Sequence, residues 1–295
     1  MIRHQVWPSS LARRAQLSVQ LPVDTRVVGL SSGLGVVYRD GKQLVASALS
    51  SDGEVVRPSR FGKSVQKLCA QTASNDHRFG VAWTEADGAV WFVHGPTSPT
   101  GAQQVELPTD ASRASGNDGE DGEDGEAAPR QPSYCGIASA GEKIALLWRD
   151  RERTYLLRCG RKCDGLATRP ALDVRRTLLG FGCTRDACVV VTRDPNRLIE
   201  ASWVKSNGKL AWTRPLPSAS GDTEVSIVGM RDTLAIAYET GAEPIVTEVT
   251  QDGTLTPIWQ ASADPDTVPG VVWSDGTLLV VHQRDGELAT AIVRR

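Results

Sequence analysis

Apolar and polar residues alternate along most of this chain with a period of two, the spacing of half-buried β-strands, and helical spacing is nearly absent. The alternation recurs at a larger scale. Gly35-Val36-Val37-Tyr38-Arg39-Asp40 returns as Gly80-Val81-Ala82-Trp83-Thr84-Glu85, Ala145-Leu146-Leu147-Trp148-Arg149-Asp150 and Val189-Val190-Val191-Thr192-Arg193-Asp194. It returns again as Ala235-Ile236-Ala237-Tyr238-Glu239-Thr240 and Leu279-Val280-Val281-His282-Gln283-Arg284. The anchors Tyr38, Trp83, Trp148, Thr192, Tyr238 and His282 are separated by 45, 65, 44, 46 and 44 residues. A period of this size is the length of one four-stranded propeller blade.

A β-like run precedes each anchor segment: Arg26–Gly33, Gln66–Thr72, Ser133–Gly141, Thr177–Thr184, Glu224–Met230 and Val268–Ser274. Another alternating run follows, and it usually ends in a turn pair such as Asp52-Gly53, Asp164-Gly165, Asn207-Gly208 or Asp252-Gly253. These pairs are strong hairpin signals because both central residues of a type I′ turn need positive φ. The pattern predicts an all-β fold: a six-bladed β-propeller with four-stranded antiparallel blades, one domain over residues 1–295. The sixth repeat ends after its third strand, Glu287–Val293, and so lacks an outer strand. Ala15–Leu21 alternates, is stopped by Pro22, and is expected to supply it as an N-terminal strand closing the last blade.

These repeats resemble a bacterial β-propeller-type repeat whose units read apolar-apolar-Trp/Tyr, a polar turn, an alternating strand and Asp-Gly. Leu147-Trp148-Arg149-Asp150 and Trp203-Val204-Lys205-Ser206-Asn207-Gly208 carry the likeness. It implies a fold, and often an envelope or extracellular setting, without implying an activity. The Gly-His and Trp-Asp pairing of WD40 repeats, the kelch double glycine and the sialidase Asp box are missing from the sequence.

Composition adds limits. The chain has 295 residues and a net charge of -2, so it is not basic overall, and no run of 18 apolar residues suits a helical membrane span. The opening segment lacks the apolar stretch of a signal peptide. An envelope or extracellular location is therefore expected only if such a peptide was removed, and a cytoplasmic one otherwise. The long second interval holds an acidic tract. From Asp110 to Glu126 seven acids face one base, and the Gly-, Ser- and Pro-rich stretch 109–131 is expected to be a disordered loop insertion. Its order of acids does not fit an EF-hand.

From Arg149 to Arg185 ten bases face four acids. Arg149, Arg151 and Arg153 fall between the second and third strands of the third repeat and are the candidate binding residues, beside the acidic loop. Nucleic acid is disfavoured by the acidic balance and by the absence of interleaved aromatics. Cys159/Cys163 and Cys183/Cys188 flank tight turns, where two local disulfides fit the geometry. A zinc site of four thiolates is the rival reading, and Cys69 and Cys135 are expected to be buried packing residues. No nucleophile elbow, phosphate loop or His-rich motif appears, so no cofactor, metal or catalytic residue is expected. The expected role is a monomeric binding or scaffolding module for another protein or an envelope glycan. The alternative is a hydrolase or lyase acting at the mouth of the central channel.

Overall fold

A computed structural model describes residues 2–6, 26–30, 33–49, 55–73, 79–86, 90–95, 103–104, 134–141, 143–149, 153–159, 167–219, 224–240, 243–261, 269–274, 276–284 and 287–294. Every element among them is a β-strand or a turn. Strand β1 is Ile2–Val6. The first repeat forms β2 (Arg26–Leu30), β3 (Gly33–Asp40), β4 (Gln43–Leu49) and β5 (Val55–Phe61). The second forms β6 (Val65–Ala73), β7 (Phe79–Glu85), β8 (Val90–Gly95) and β9 (Gln103–Gln104), and the third β10 (Tyr134–Ala140), β11 (Lys143–Arg149) and β12 (Thr154–Cys159). The fourth comprises β13 (Thr177–Cys183), β14 (Ala187–Arg193), β15 (Ile199–Lys205) and β16 (Leu210–Pro215). The fifth comprises β17 (Ser226–Gly229), β18 (Leu234–Glu239), β19 (Pro244–Val249) and β20 (Leu255–Gln260). The sixth comprises β21 (Gly270–Ser274), β22 (Thr277–Arg284) and β23 (Glu287–Arg294).

Among the described residues these strands make six antiparallel sheets, five of four strands and one of three. Each sheet is a meander in chain order except the sixth, ordered β1-β23-β22-β21. Consecutive sheets touch through their first strands: β2 on β6, β6 on β10, β10 on β13, β13 on β17 and β17 on β21. First strands that meet in succession while later strands fan away describe a radial arrangement. Burial follows the same order. Second strands such as β11 and β14 are buried on both faces, because each lies between two neighbouring sheets, whereas the outer strands β16 and β20 are largely exposed.

The recurring anchors hold these layers together. Trp83, Trp148, Thr192, Tyr238 and His282 are all buried, and Tyr38 is half-buried. Trp148 stacks on its cross-strand partner Tyr155 at 5.2 Å, and Trp83 on Trp91 at 6.4 Å. The Tyr238 hydroxyl donates to the Pro217 carbonyl at 3.1 Å and lies 3.1 Å from Thr247 Oγ1. Where a glycine replaces a side chain in a first strand, the sheets close tightly. A Cβ built on Gly229 would come within 1.9 Å of the Cys183 carbonyl oxygen, so β17 and β13 meet backbone to backbone.

Two expectations about the outer strands are corrected. An N-terminal strand does cover the edge of β23, but it is β1, in register from Ile2 opposite Val293 to Val6 opposite Ala289. The place expected for 15–21 is thereby filled, and those residues lie outside the described ones. The third sheet has no full outer strand among the described residues, and a single bridge, Leu156 to Thr168, stands in its place. Pro170, two positions on, has no N–H to extend the ladder.

Candidate functional site

The arginines singled out in the sequence sit at the turn between β11 and β12. Arg149 is buried because it ends a strand covered on both faces. Its Nε donates to Thr154 Oγ1 at 2.8 Å, and its Nη1 donates to the Arg176 carbonyl. Burial pulls its pKa down and the charge of Asp173 opposes that, yet a guanidinium stays protonated in either setting. Arg153 is half-buried and engaged by neighbouring groups, and Arg151 lies outside the described residues. Arg158 behaves similarly at the other end of the third sheet. It donates to the Arg185 carbonyl and, at 3.3 Å, to Cys188 Sγ, and its burial lowers its pKa against the raising effect of Asp186. The basic segment thus ties the third sheet to the fourth by guanidinium-to-carbonyl bonds, a use that residue type and spacing alone did not reveal.

The cysteines are oxidised. Cys183 and Cys188 face each other across the β13–β14 hairpin and are bonded, with their Cα atoms 3.9 Å apart. Cys159 and Cys135 are disulfide-bonded as well, which adds a bond to the buried packing expected for Cys135 and removes the four-thiolate zinc alternative. They cannot be bonded to each other. Cys135 stands opposite Trp148 and Tyr155, and Cys159 stands opposite Ile144, two strands and several residues away, beyond the ~4.4–6.8 Å Cα separation of a disulfide. Cys163 and the acidic stretch 109–131 lie outside the described residues. Among the described residues no group of three His, Cys, Asp or Glu side chains is placed to hold a metal ion.

Among the described residues, a concavity lies at the opposite strand ends from the Arg149 turn. Along β14, about 3.3 Å per residue separates its two ends by roughly 20 Å. Here a polar cleft of about 230 Å³ opens between the fourth and fifth sheets. The β13–β14 turn contributes Asp186, the β15–β16 turn Lys205 and Asn207, and the β17–β18 turn Arg231 and Asp232. Local bonds fix these turns. The Ser206 N–H donates to the Asp186 carbonyl at 3.0 Å, the Thr184 N–H to the Ala187 carbonyl at 2.8 Å, and the Lys209 N–H to Asn207 Oδ1 at 3.0 Å. Gly208 is left-handed at φ +80° but Asn207 is not, so this turn is not the type I′ turn expected, and the Gly208 N–H instead donates to the Lys205 carbonyl at 2.8 Å.

Aromatic residues support the cleft from below. Trp203 lines it yet is only 2% exposed, and it stacks on Trp212 at 5.8 Å. Trp212 Nε1 donates to the Gln251 carbonyl at 2.9 Å, which fastens the fifth sheet's last turn to the fourth sheet. The Trp203 Nε1 is buried without a hydrogen-bond partner, as are those of Trp91, Trp148 and Trp259. The sequence located these turns through Asn207-Gly208 and Asp252-Gly253 but gave no reason to single out their charges.

No protein-family description and no curated protein matches the chain. Solved structures do resemble it in three dimensions. "BBS1N in complex with ARL6DN, soaked with lead" aligns at a TM-score of 0.51 and 12% identity, over 88% of this chain and 76% of that one. The Myceliophteria thermophila Cps50 (Swd1) β-propeller domain aligns at 0.49 and 11% identity, covering 93% and 90% of the two chains. The Vanderwaltozyma polyspora Nup133 β-propeller domain aligns at 0.48 and 11% identity, over 93% and 83%. The likeness is one of fold. The radial succession of antiparallel sheets in this chain is itself the arrangement of an all-β, propeller-type fold.

Proposed function

We propose that the chain is a six-bladed β-propeller with four-stranded antiparallel blades, a single domain over 1–295 acting as a monomeric binding or scaffolding module for another protein. The observation that carries the reading is the cleft of Asp186, Lys205, Arg231 and Asp232: turns from two sheets present charged groups of both signs on one face. A radial fold places many such turns side by side, and a rigid rim of turns is where binding residues concentrate. A protein partner is favoured over a glycan by the aromatics. Trp203 is buried and stacked on Trp212, so it offers no open ring face for a sugar to lie upon. Arg149 and Arg153 flank the turn between β11 and β12, and the run Arg149, Arg151, Arg153 is a second basic edge for such a partner at the opposite rim. The oxidised cysteines favour an oxidising compartment, with Cys163 as the partner of Cys159.

The test is cross-linking in the native cell, followed by purification of the full chain and mapping of linked peptides. A distinct protein linked at the turns around Lys205 and Lys209, at near-stoichiometric yield, is the expected outcome. Links confined to the chain itself, together with turnover of a glycan or peptide substrate by the purified protein, would overturn the reading in favour of an enzyme.

A further inference from the structure

The cleft between the fourth and fifth sheets holds charges that form no ion pair among the described residues. Lys205, Arg231, Asp186 and Asp232 all line it, and none of them is in an ion pair, although ion pairs form elsewhere, as between Arg60 and Asp40 or Arg175 and Asp173. Asp186 acts electrostatically on the half-buried Arg158 guanidinium. The four charges stand at or beside the tips of three hairpins whose backbones are fixed by hydrogen bonds, so both signs are presented to one cleft. Backbone pre-organisation of this kind lowers the ordering cost of binding.

Resting on the protein-binding reading, we propose that this cleft is an anchor site for a peptide segment of the partner that carries an ammonium or guanidinium group and a carboxylate close together. Three features select that class. The lining carries two positive and two negative side chains, so a purely anionic or purely cationic ligand would meet as much repulsion as attraction. The volume of about 230 Å³ falls below the ~300–1,000 Å³ of sites that enclose a whole drug-sized ligand or cofactor, so it suits a pair of side chains from a larger partner. The buried, stacked Trp203 offers no platform for a sugar ring. The partner's cation would meet Asp186 and Asp232 and its carboxylate Lys205 and Arg231, while Asn207 remains to bond the peptide backbone.

The full-length protein would be titrated with the capped peptide acetyl-lysyl-glycyl-aspartyl-amide, with free glycine, with inorganic phosphate and with maltose, while backbone amide signals are followed by NMR. Saturable shifts of Ser206, Asn207 and Asp232 are expected with the capped peptide. Arg231→Ala or Asp232→Asn should each weaken its binding up to about five-fold, the range of one exposed charge interaction, and the double variant about ten-fold or more. Arg60→Ala, whose partner Asp40 lies in the first sheet, should leave it unchanged. All four side chains are at the surface, and an unchanged melting temperature of each variant shows that lost binding is not lost folding.

Equal shifts with phosphate or maltose would overturn the proposal in favour of an anion or glycan site. Equal shifts with free glycine would mean a free amino acid rather than a partner segment, and no saturable shift would remove the site altogether. The two readings fail separately. A cross-linked partner that binds the Arg231→Ala/Asp232→Asn protein as tightly as wild type defeats the anchor site and leaves the scaffold role intact. Peptide binding without any cross-linked partner does the reverse.

Discussion

Substituting Gly229 by Ala tests both the radial packing and the construction of the cleft. Its added Cβ would lie 1.9 Å from the Cys183 carbonyl oxygen, 2.9 Å from that carbonyl carbon and 3.4 Å from the Thr184 nitrogen. Distances under 3.0 Å are essentially never tolerated by a Cβ, and the clashing atoms are backbone, which cannot swing aside. Strand β17 must therefore retreat from β13 by about 1 Å, a gap that forfeits a quarter to a half of the dispersion between atoms formerly in contact. Overpacking of this kind costs about 1–3 kcal/mol, offset by about 0.4–1 kcal/mol from the stiffer unfolded chain. A net loss of about 1–2 kcal/mol corresponds to a fall of about 2–3 °C in melting temperature, given about 2.1 cal/mol/K of unfolding entropy per residue over 295 residues. Gly270→Ala is the control, because a Cβ there meets nothing nearer than the Val281 carbonyl oxygen at 3.9 Å. Thermal melts followed by circular dichroism should separate the two variants by about 2–3 °C or more. If Gly229→Ala melts with Gly270→Ala, the first strands of the fourth and fifth sheets are not in backbone contact. The cleft their turns form would then be placed wrongly.

Three further outcomes are expected. Deleting residues 1–6 uncovers the edge of β23 along five paired positions and should cost about 3–5 kcal/mol at roughly 1 kcal/mol per ladder bond, with aggregation visible by size-exclusion chromatography; a monomer melting normally would refute the closure. Tyr238→Phe removes the donor to the Pro217 carbonyl and should cost about 1–2 kcal/mol. Burial raises the pKa of this tyrosine, so the unfolded chain ionises first and wild-type stability should drop as pH rises above about 10, a slope measured by urea titration that the variant should flatten. Peptide mapping without reductant should find Cys183 linked to Cys188; of the two pairings that register leaves for the other four, the three-residue spacing of Cys159 and Cys163 favours their bond and so Cys135 with Cys69. Free thiols at Cys135 or Cys159 would contradict the oxidised structure.

The strands were legible because each repeat carries its own evidence. An alternating run, an aromatic or small anchor and a turn pair constrain one another within about 45 residues, and observed strands such as Thr177–Cys183 or Gly270–Ser274 fall inside the runs read from the sequence. What a strand pairs with is a different matter at the outer edges. Ala15–Leu21 alternates more regularly than Ile2–Val6, but alternation says only that a segment can be a strand, and either could satisfy the free edge of β23. Pro170 was equally visible, yet its effect depends on which residues reach the β12 edge, and that is set by the length of the preceding turn.

Side-chain roles were harder to read because they depend on neighbouring sheets. Arg149 looks like an exposed cation in a charged run, but it terminates a strand with a sheet on either side. Its guanidinium is consumed by Thr154 and by a carbonyl 27 residues further on. Lys205, Arg231, Asp186 and Asp232 present the opposite case. Each is an ordinary turn charge within its own repeat, and only the close approach permitted at Gly229 brings the β13–β14 and β17–β18 turns to one cleft. Local pattern fixes the blade, since the residues that define it are near in sequence. A site shared between blades rests on contacts such as Gly229 against Cys183, 46 positions apart, and its chemistry comes into view only when the sheets are set side by side.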